Sequence, residues 1–312
     1  MIRRPRIVCL GGGTGLSTVL RGLKTSGAET TAIVTLPDDG GSSGRLRREL
    51  DVPPPGDVRA CLVALAADES AMAELLQHRF TRGELDGHAL GNLVLAGLTE
   101  STGSFDTAVA MLSRILALSG QVLPATREAA VLVAEMDDGR IVAGETAVAT
   151  DRSGVRRLRL EPQDVEAHPL AIEAIERADL IVMGPGSLFT STLPPLLVPG
   201  LRQALLGSRG RRLYIANLLQ QPGETLGYDA ARHLDRLFQH VGAASVDTVL
   251  IPLVRRTEAP GLIPVIFDRR QLAARGVEVV AARIHDGHHH DPARLARVLV
   301  RQARRPSPVR AN

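Results

Sequence analysis

The chain has 312 residues, a formal net charge of +3, 44% hydrophobic residues, 23% charged residues and only 2% aromatic residues. This length can bury one large core or two smaller ones, and the composition is that of an ordinary globular protein. The scarcity of aromatic rings argues against single-strand nucleic-acid binding by base stacking, so no nucleic-acid partner is expected.

Targeting and redox signals are few. Cys9 and Cys61 lie in apolar runs and are predicted to be buried thiols of a reducing compartment. No signal peptide is recognised, and no run approaches the roughly 18 apolar residues that a membrane span needs. These features predict a cytoplasmic protein without a membrane span. The Arg-rich residues 303–312 are interpreted as a flexible, solvated basic tail, with an arm for a nucleic acid or an anionic surface as the alternative.

Short apolar runs alternate with helical patterns along most of the chain. The predicted strands are Arg6–Leu10, Ala32–Leu36, Asp179–Pro185, Arg212–Ala216 and Thr248–Pro252. The predicted helices are Leu16–Lys24, Val58–Ala67, Ala71–His78, Gly91–Thr99, Phe105–Ser119, Leu170–Ala178, Pro199–Leu206, Tyr228–Val241 and Pro292–Gln302. This alternation is typical of an α/β fold, and the uninterrupted apolar runs indicate parallel strands that are buried on both faces.

A different pattern occupies residues 128–162. Ala130–Met136 and Arg140–Gly144 flank Asp-Asp-Gly, which is typical of a hairpin, and Val155–Leu160 predicts another strand. We therefore predict one nucleotide-binding α/β domain over residues 1–312, with helices on both faces of a mainly parallel sheet and a small β-rich insertion at about 128–162.

A glycine-rich turn follows the first strand and consists of Gly11, Gly12, Gly13, Thr14 and Gly15. Glycines let the backbone approach a ligand closely, and the N-terminus of the following helix favours an anion. The third glycine of a dinucleotide fingerprint falls on Leu16 or Thr18, and no Walker A lysine follows. The turn predicts a phosphate cradle, and a merely tight strand–helix connection is the alternative.

A polar loop follows the second strand. The adjacent carboxylates of Asp38 and Asp39 could hold Mg²⁺ or a sugar hydroxyl. The flexible Gly/Ser segment that comes next contains Ser42 and Ser43, and its N–H groups together with Arg45 suit a diphosphate. A polar surface loop is the alternative interpretation.

Three further side chains are candidates for the same site. Arg59 lies in the first turn of a predicted helix, where a cation opposes the helix dipole, so an anionic ligand would explain it. His88 lies between glycines and could act as an acid, a base or a ligand donor, and Asn92 begins an apolar helix. Each could instead be an ordinary surface or structural residue.

Two loops follow later strands at the edge where open α/β sheets bind ligands. The first contains Gly184, Gly186, Ser187 and Thr190. The hydroxyls of Ser187 and Thr190 could donate to phosphate. Asn217 follows the next strand and could read a base or a ribose. Ordinary polar turns are the alternative for both loops.

A histidine-rich segment covers residues 285–290. It could suggest a metal site, but Asp291 and Pro292 are typical of the N-cap and first residue of a helix. The histidines before them are expected to be solvent-exposed.

Together and in this order, these motifs resemble the CofD/YvcK family. The run Asp-Asp-Gly-Gly-Ser-Ser-Gly-Arg-Leu-Arg over 38–47 is its most specific element. The resemblance implies a Rossmann-like fold. The segments at 184–191 and 221–225 are more similar to the YvcK branch, called the gluconeogenesis factor, than to the CofD branch.

The resemblance implies different functions for the two branches. The YvcK branch implies binding of a nucleotide sugar such as UDP-N-acetylglucosamine and regulation of cell shape and cell-envelope synthesis during gluconeogenic growth, without an established reaction. The CofD branch implies a phosphotransferase that joins 2-phospholactate to a deazaflavin, in which Asp38 or Asp39 would position Mg²⁺ and the attacking phosphate. A protein that binds NAD(P) is a further alternative, and a homodimer is possible.

The chain departs from the family pattern at three positions. Ala60 and Pro195 stand where the family commonly has Asn, and Gln220 replaces a usual Thr. Each change removes or alters a polar group near the expected site. The departures therefore weaken the case for transferase chemistry more than the case for nucleotide binding.

Overall fold

The computed structural model describes residues 3–37, 39–67, 71–254, 262–287 and 289–306. The strands are β1 (Arg6–Gly11), β2 (Glu29–Val34), β3 (Gln121–Pro124), β4 (Val131–Met136), β5 (Ile141–Ala143), β6 (Val155–Glu161), β7 (Leu180–Met183), β8 (Arg211–Ile215), β9 (Thr248–Pro252) and β10 (Glu278–Ala282).

The helices surround these strands in chain order. They are α1 (Gly13–Leu23), α2 (Gly41–Leu50), α3 (Gly56–Leu65), α4 (Ala71–Gln77), α5 (Leu90–Thr102), α6 (Phe105–Ile115), α7 (Glu145–Thr150), α8 (Pro169–Arg177), α9 (Pro194–Leu197), α10 (Pro199–Gly207), α11 (Ala230–Val241), α12 (Arg269–Ala273) and α13 (Pro292–Ala303). A π-helical turn covers Leu188–Thr192, and a 3₁₀ turn covers Ala243–Ser245. Among the described residues, the helices are all too short or too polar to cross a membrane.

The main sheet determines where a ligand can bind. Within the described residues it has seven strands in the order β10-β9-β8-β7-β1-β2-β3, and every neighbouring pair is parallel. The chain moves outward from β1 through β2 to β3, and in the other direction from β7 through β8 and β9 to β10. The order therefore reverses between β1 and β7, which is where open α/β sheets bind ligands. This topology confirms the Rossmann-like prediction.

Both faces of the sheet are covered, which explains the uninterrupted apolar runs. On β1, Ile7 and Cys9 belong to one core together with residues of α1, α3, α6 and α13. Val8 and Leu10 point to the other core, which α8, α10 and α11 complete. Successive residues of a strand face opposite sides, so a strand covered on both sides must be apolar throughout.

The small antiparallel sheet confirms the predicted β-rich insertion. Its order is β5-β4-β6, and the pairs Val133↔Ala143 and Ala134↔Leu158 fix the register of β4 against its two neighbours. Leu132 on β4 is fully buried in the same core as α8 and α10. The insertion is therefore packed onto one face of the main sheet.

The predicted flexible Gly/Ser loop after β2 is wrong, because residues 41–50 form α2. Ser42, Ser43 and Leu46 are buried on its inner face, and the Gly44 N–H donates to the Gly40 carbonyl at 2.9 Å. Tertiary burial here overrides a low intrinsic preference for helix.

Several element boundaries also differ from the predictions. α6 ends at Ile115 rather than at Ser119, and the short strands β3 and β10 were not predicted. At the C-terminus α13 extends to Ala303, so the predicted tail begins inside a helix. The remainder of that tail, residues 307–312, lies outside the described part of the chain.

Candidate functional site

A cavity of about 220 Å³ opens at the carboxyl edge of the sheet, beside the ends of β1, β7 and β8. Its lining includes Thr14, Gly15, Gly186, Asn217, Gln221 and His290. Four of these residues come from the predicted candidates, and they are contributed by three separate segments of the sequence. The fold therefore brings the glycine turn together with the loops after β7 and β8 at the point where the strand order reverses.

The glycine turn packs backbone to backbone against the loop after β7. A Cβ atom on Gly15 would lie 2.0 Å from the Pro185 carbonyl oxygen, so no other residue fits there without moving that loop. Gly13 has a φ of +62°, a conformation that glycine adopts at little cost. A Cβ atom on Gly12 would lie 2.2 Å from Asp57 Oδ2. Together with Gly11 at the end of β1, these residues form a turn that only glycines can make.

Helix α1 begins at this turn with an N-terminus suited to an anion. Its N-cap is Gly12, which has no side chain to accept a hydrogen bond, and its first turn contains no acidic residue. The hydroxyls of Ser17 and Thr18 donate to the Thr14 carbonyl at 3.0 and 2.8 Å rather than capping the helix. No side chain of α1 itself therefore neutralises the positive end of the helix dipole, which Asp57 approaches from α3 at Gly12.

Asn217 joins the loops after β7 and β8. Its Oδ1 accepts a hydrogen bond from the Gly186 N–H at 3.3 Å, and its Nδ2 donates to Gln221 Oε1 at 3.1 Å. Asn217 is 8% exposed and lies in the wall of the cavity. The amide thus holds Gly186 in place while lying next to any bound ligand.

The hydroxyls predicted to bind phosphate are occupied within the protein. Ser187 Oγ is hydrogen-bonded to Glu224 Oε2, and Thr190 Oγ1 lies 2.6 Å from Ser187 Oγ and 3.2 Å from Glu224 Oε1. Glu224 is 7% exposed, and burial raises the pKa of its carboxyl above the usual range. Gly184, which has a φ of +73°, connects β7 to this loop.

A second polar cluster lies on α2 and α5. Ser42 Oγ lies 3.0 Å from His88 Nδ1, and Asn92 Nδ2 donates to Ser42 Oγ at 3.0 Å. All three side chains are buried, and burial lowers the pKa of His88, so that the neutral imidazole can accept the Ser42 proton at Nδ1. The structure thus brings together three candidates that are up to 50 residues apart in the sequence.

Three other candidates contact the polypeptide around this second cluster. Ser43 Oγ accepts a hydrogen bond from the Gly56 N–H at 3.1 Å, and Arg45 donates to the Asp86 carbonyl. The aliphatic part of Arg59 packs against Gly91, where a Cβ atom would lie 2.9 Å from Arg59 Cγ. These contacts place the candidates near the second cluster, and their roles toward a ligand stay predictions.

Of the two predicted Mg²⁺ ligands, the structure describes Asp39. Asp39 Oδ1 accepts hydrogen bonds from Thr146 N–H at 2.9 Å and Thr146 Oγ1 at 2.8 Å, at the start of α7. This oxygen therefore caps a helix of the insertion, and the role of Asp39 toward a cation stays a prediction. Asp38 lies outside the described residues. Mg²⁺ stays a prediction, and no cluster of three His, Cys, Asp or Glu side chains occurs in the described part of the chain.

The histidine-rich segment is less exposed than predicted. His285 is 8% exposed, and its Nε2 donates to the Leu253 carbonyl at 2.8 Å. His290 lines the cavity, and burial lowers its pKa to about 4. The prediction of full exposure is therefore wrong for these two residues and correct for His289, while His288 lies outside the described residues. His285 and His290 pair in an isolated antiparallel bridge before α13, and His290 lies at the cavity.

The structure adds Glu224, Gln221 and His290 to the residues around the site. Glu224 is the only acidic residue of the segment Gln220–Thr225, which follows a buried strand. That position could have identified it as a candidate. No periodic pattern distinguishes His290 from its neighbours.

The fold and the cavity define a Rossmann-like α/β protein with a ligand site at the switch point of its sheet. The sequence profile of the family described as "2-phospho-L-lactate transferase CofD" matches residues 7–285. The chain therefore belongs to the CofD family.

Curated relatives refine this assignment. The chain is 46% identical over 312 residues to a protein of Bacillus subtilis (strain 168) named gluconeogenesis factor, which covers 96% of this chain and 98% of that protein. A protein of the same name from Halalkalibacterium halodurans is 47% identical over 288 residues, which covers 90% of this chain and 89% of that protein. These matches are to the YvcK-like members of the family.

A solved structure has the same fold. The crystal structure of a UPF0052 family protein from Bacillus halodurans superposes with a TM-score of 0.93 at 43% sequence identity. The superposition covers 96% of this chain and 100% of that chain. The Rossmann-like architecture is therefore shared along the whole of that protein.

Proposed function

We propose that the protein binds a nucleotide sugar such as UDP-N-acetylglucosamine in the cytoplasm and thereby regulates cell shape and cell-envelope synthesis during gluconeogenic growth. The observation that carries the ligand class is the start of α1, whose own first turn meets the cavity without a side-chain cap or an acidic residue. Such a helix N-terminus favours phosphate groups. The names of the curated relatives support the physiological part of the proposal.

The rest of the cavity suits the uncharged parts of such a ligand. The amides of Asn217 and Gln221 and the imidazole of His290 line it. Because the pKa of His290 is lowered to about 4, its ring is neutral at physiological pH. A neutral imidazole offers one donor and one acceptor, as the edges of a base or a sugar require.

A CofD-type phosphotransferase that joins 2-phospholactate to a deazaflavin is the second candidate. The family match over residues 7–285 favours it. Catalysis would then depend on positioning and on stabilising developing charge, with the buried Ser42, His88 and Asn92 near the reacting groups. The apolar residues Ala60 and Pro195, which replace expected polar ones, count against it. NAD(P) binding is weaker still, because the glycine fingerprint lacks its third glycine.

Ligand-dependent thermal unfolding tests these candidates side by side. A ligand that binds only the folded state stabilises it by about 2.7 kcal/mol at 100 times its Kd. We expect UDP-N-acetylglucosamine to raise the melting temperature, while NAD and deazaflavin do not. If no UDP-sugar raises it, the proposal is wrong. Turnover of deazaflavin with a nucleotide-activated phospholactate would instead establish the transferase.

A substitution that adds a negative charge tests where the ligand lies. Asn217→Asp keeps the oxygen that accepts the Gly186 N–H, replaces the Nδ2 donor to Gln221 Oε1 by an oxygen, and adds a negative charge beside the expected phosphates. We expect weaker binding of UDP-N-acetylglucosamine and a lower melting temperature of the free protein, because the Gln221 contact is lost and the new charge is buried. Gln203→Glu, on the exposed face of α10, adds the same charge away from the cavity and is the matched control. Equal affinities for both variants would place the ligand elsewhere.

A further inference from the structure

Three side chains form a closed ring of oxygen contacts beneath the loop after β7. Ser187 Oγ meets Glu224 Oε2, Thr190 Oγ1 lies 2.6 Å from Ser187 Oγ, and Glu224 Oε1 lies 3.2 Å from Thr190 Oγ1. Two backbone N–H groups join the ring from outside. The Phe189 N–H donates to Glu224 Oε2 at 3.4 Å, and the Thr190 N–H donates to Ser187 Oγ at 3.2 Å.

The number of protons decides the ionisation state of this ring. It has three oxygen–oxygen contacts, and each contact needs one proton between its two oxygens. The two hydroxyls supply one proton each, and an ionised carboxylate can only accept. With an ionised Glu224, the single Thr190 proton would have to serve both Ser187 and Glu224. A protonated carboxyl supplies the third proton and satisfies every contact.

We propose that Glu224 is a neutral carboxylic acid in the native protein and that it acts as a positioning residue for the ligand loop. Its Oε1–H donates to Thr190 Oγ1, the Thr190 hydroxyl donates to Ser187 Oγ, and the Ser187 hydroxyl donates to Glu224 Oε2. The ring thereby fixes the π-helical turn Leu188–Thr192, which follows Gly186 and Ser187. On the other side of this loop, the Gly186 N–H donates to Asn217 Oδ1.

The surroundings of Glu224 favour the neutral form. The carboxyl is 7% exposed, and burial raises its pKa. Its hydrogen-bond partners in the described structure are hydroxyls and one N–H, and no salt bridge of the described residues includes it. Of the elements packed against the π-helical turn, α7 carries Glu145 and has Asp151 as its C-cap, and α9 carries no charged residue. Asp151 is paired with Arg140, and Arg232 of α11 lies 4.1 Å over the Tyr228 ring, so neither cation is paired with the Glu224 carboxyl.

The neutral ring has a consequence for binding, and this step rests on the proposed function. A carboxylate beneath a phosphate-binding loop would repel the ligand in a poorly screened environment. A carboxylic acid provides the same rigidity without the charge. The anion would then be held by the start of α1 and by backbone groups, since the hydroxyls of Ser187 and Thr190 are used within the ring.

The protonation state can be measured directly in the ligand-free protein. Glutamate labelled with ¹³C at Cδ gives a carboxyl resonance whose shift distinguishes the acid from the carboxylate, and its loss in Glu224→Gln assigns it. We expect the Glu224 resonance to have the shift of a protonated acid at pH 7. Exposed Glu166 provides a solvent-exposed reference resonance in the same spectrum. A carboxylate shift for Glu224 at pH 7 would overturn the inference.

Isosteric variants supply a second readout. Glu224→Gln replaces the O–H donor by an N–H donor and keeps the acceptor, so we expect the ring to persist and affinity for UDP-N-acetylglucosamine to stay within about threefold. Glu224→Ala removes two of the three contacts of the ring and leaves the Ser187 hydroxyl without its acceptor, and we expect at least about tenfold weaker binding. If Glu224→Gln weakens binding as much as Glu224→Ala, the ring requires a carboxylate and the inference is wrong.

The pH dependence of the melting temperature tests the direction of the Glu224 pKa shift. A carboxyl whose folded pKa is raised contributes stability that is present below its unfolded pKa and is lost as pH rises through its folded pKa. The melting temperature of the wild type should therefore fall relative to that of Glu224→Gln over this range. A constant difference between the two would contradict the inference. The spectra and melting curves need no ligand, so their outcome stands even if no UDP-sugar binds.

Discussion

Helices α6, α11 and α13 begin in a different way from helices α1, α2 and α5. Three long helices start with a side chain that accepts a hydrogen bond from the first turn. These contacts are Ser104 with the Thr107 N–H at 3.2 Å in α6, Asp229 with the Arg232 N–H at 2.8 Å in α11, and Asp291 with the Arg294 N–H at 2.9 Å in α13. By contrast, the N-cap residues of α1, α2 and α5 are Gly12, Gly40 and Ala89, which make no side-chain cap.

The first turns of α1, α2 and α5 also lack acidic residues. A side-chain cap contributes about 1 kcal/mol, so three helices forgo a common source of stability. Their starts carry nearly all of the glycine and serine candidates that follow β1 and β2. An anion that binds there would supply the charge that the caps do not. Although α10 also starts without a side-chain cap or an acidic residue, we propose from this contrast that the starts of α1, α2 and α5 meet a ligand.

The largest expected effect comes from filling the space at the start of α1. In Gly15→Ala the new Cβ would meet the Pro185 carbonyl at 2.0 Å, which forces the two cavity loops apart. We expect a stability loss of about 1–3 kcal/mol together with loss of ligand binding. Urea unfolding and ligand titration by calorimetry measure the two effects.

Two other glycine substitutions serve as controls. Gly210→Ala, directly before β8 at the opposite edge of the sheet, would meet the Ala178 carbonyl at 2.5 Å and should also lose stability but keep ligand affinity. Gly97→Ala, at an exposed position of α5, has no atom within 4 Å of the new Cβ and should gain about 0.5–1 kcal/mol. If Gly15→Ala binds ligand as Gly210→Ala does, the start of α1 is not the site.

Continuous apolar sequence predicted the centre of the fold well. β9 has the predicted bounds Thr248–Pro252, and β7 (Leu180–Met183) lies within the predicted strand Asp179–Pro185. α2 was missed because its glycines and serines resemble a loop, and only burial of Ser42 and Ser43 against other elements makes it helical. That burial depends on residues distant in the sequence, which local pattern cannot supply.

The site was predictable where it depends on topology and less so where it depends on side-chain partners. Because they follow predicted parallel strands, the glycine turn, Gly186 and Asn217 were expected at the carboxyl edge of the sheet, and they meet there at the cavity. The contact between Ser187 and Glu224 spans 37 residues, and that between Asp39 and Thr146 spans 107. In both pairs, a side chain that the sequence suggested for ligand binding, Ser187 or Asp39, is hydrogen-bonded within the protein. Their partners come from separate loops, which the motifs did not identify.

A new cap on α2 tests the comparison with a smaller expected effect. Gly40 has a φ of −92° and a ψ of 160°, which any residue can adopt, so Gly40→Asp and Gly40→Asn can both cap the helix. We expect each to add a few tenths of a kcal/mol to the free energy of unfolding. Only Asp adds a negative charge, which should weaken binding of an anionic ligand by about fivefold through the helix dipole. Equal affinities for both variants would show that the start of α2 does not meet the anion.

Removing a cap far from the cavity is expected to have the smallest effect on function. Ser104→Ala deletes the oxygen that accepts the Thr107 N–H and should lower the free energy of unfolding by about 1 kcal/mol. Ligand affinity should not change, because α6 packs against α5 and β3 rather than against the cavity loops. Unfolding in urea with and without ligand separates the two quantities. A loss of affinity in Ser104→Ala would mean that capped helices also control the site, and the division between the two groups of helices would not hold.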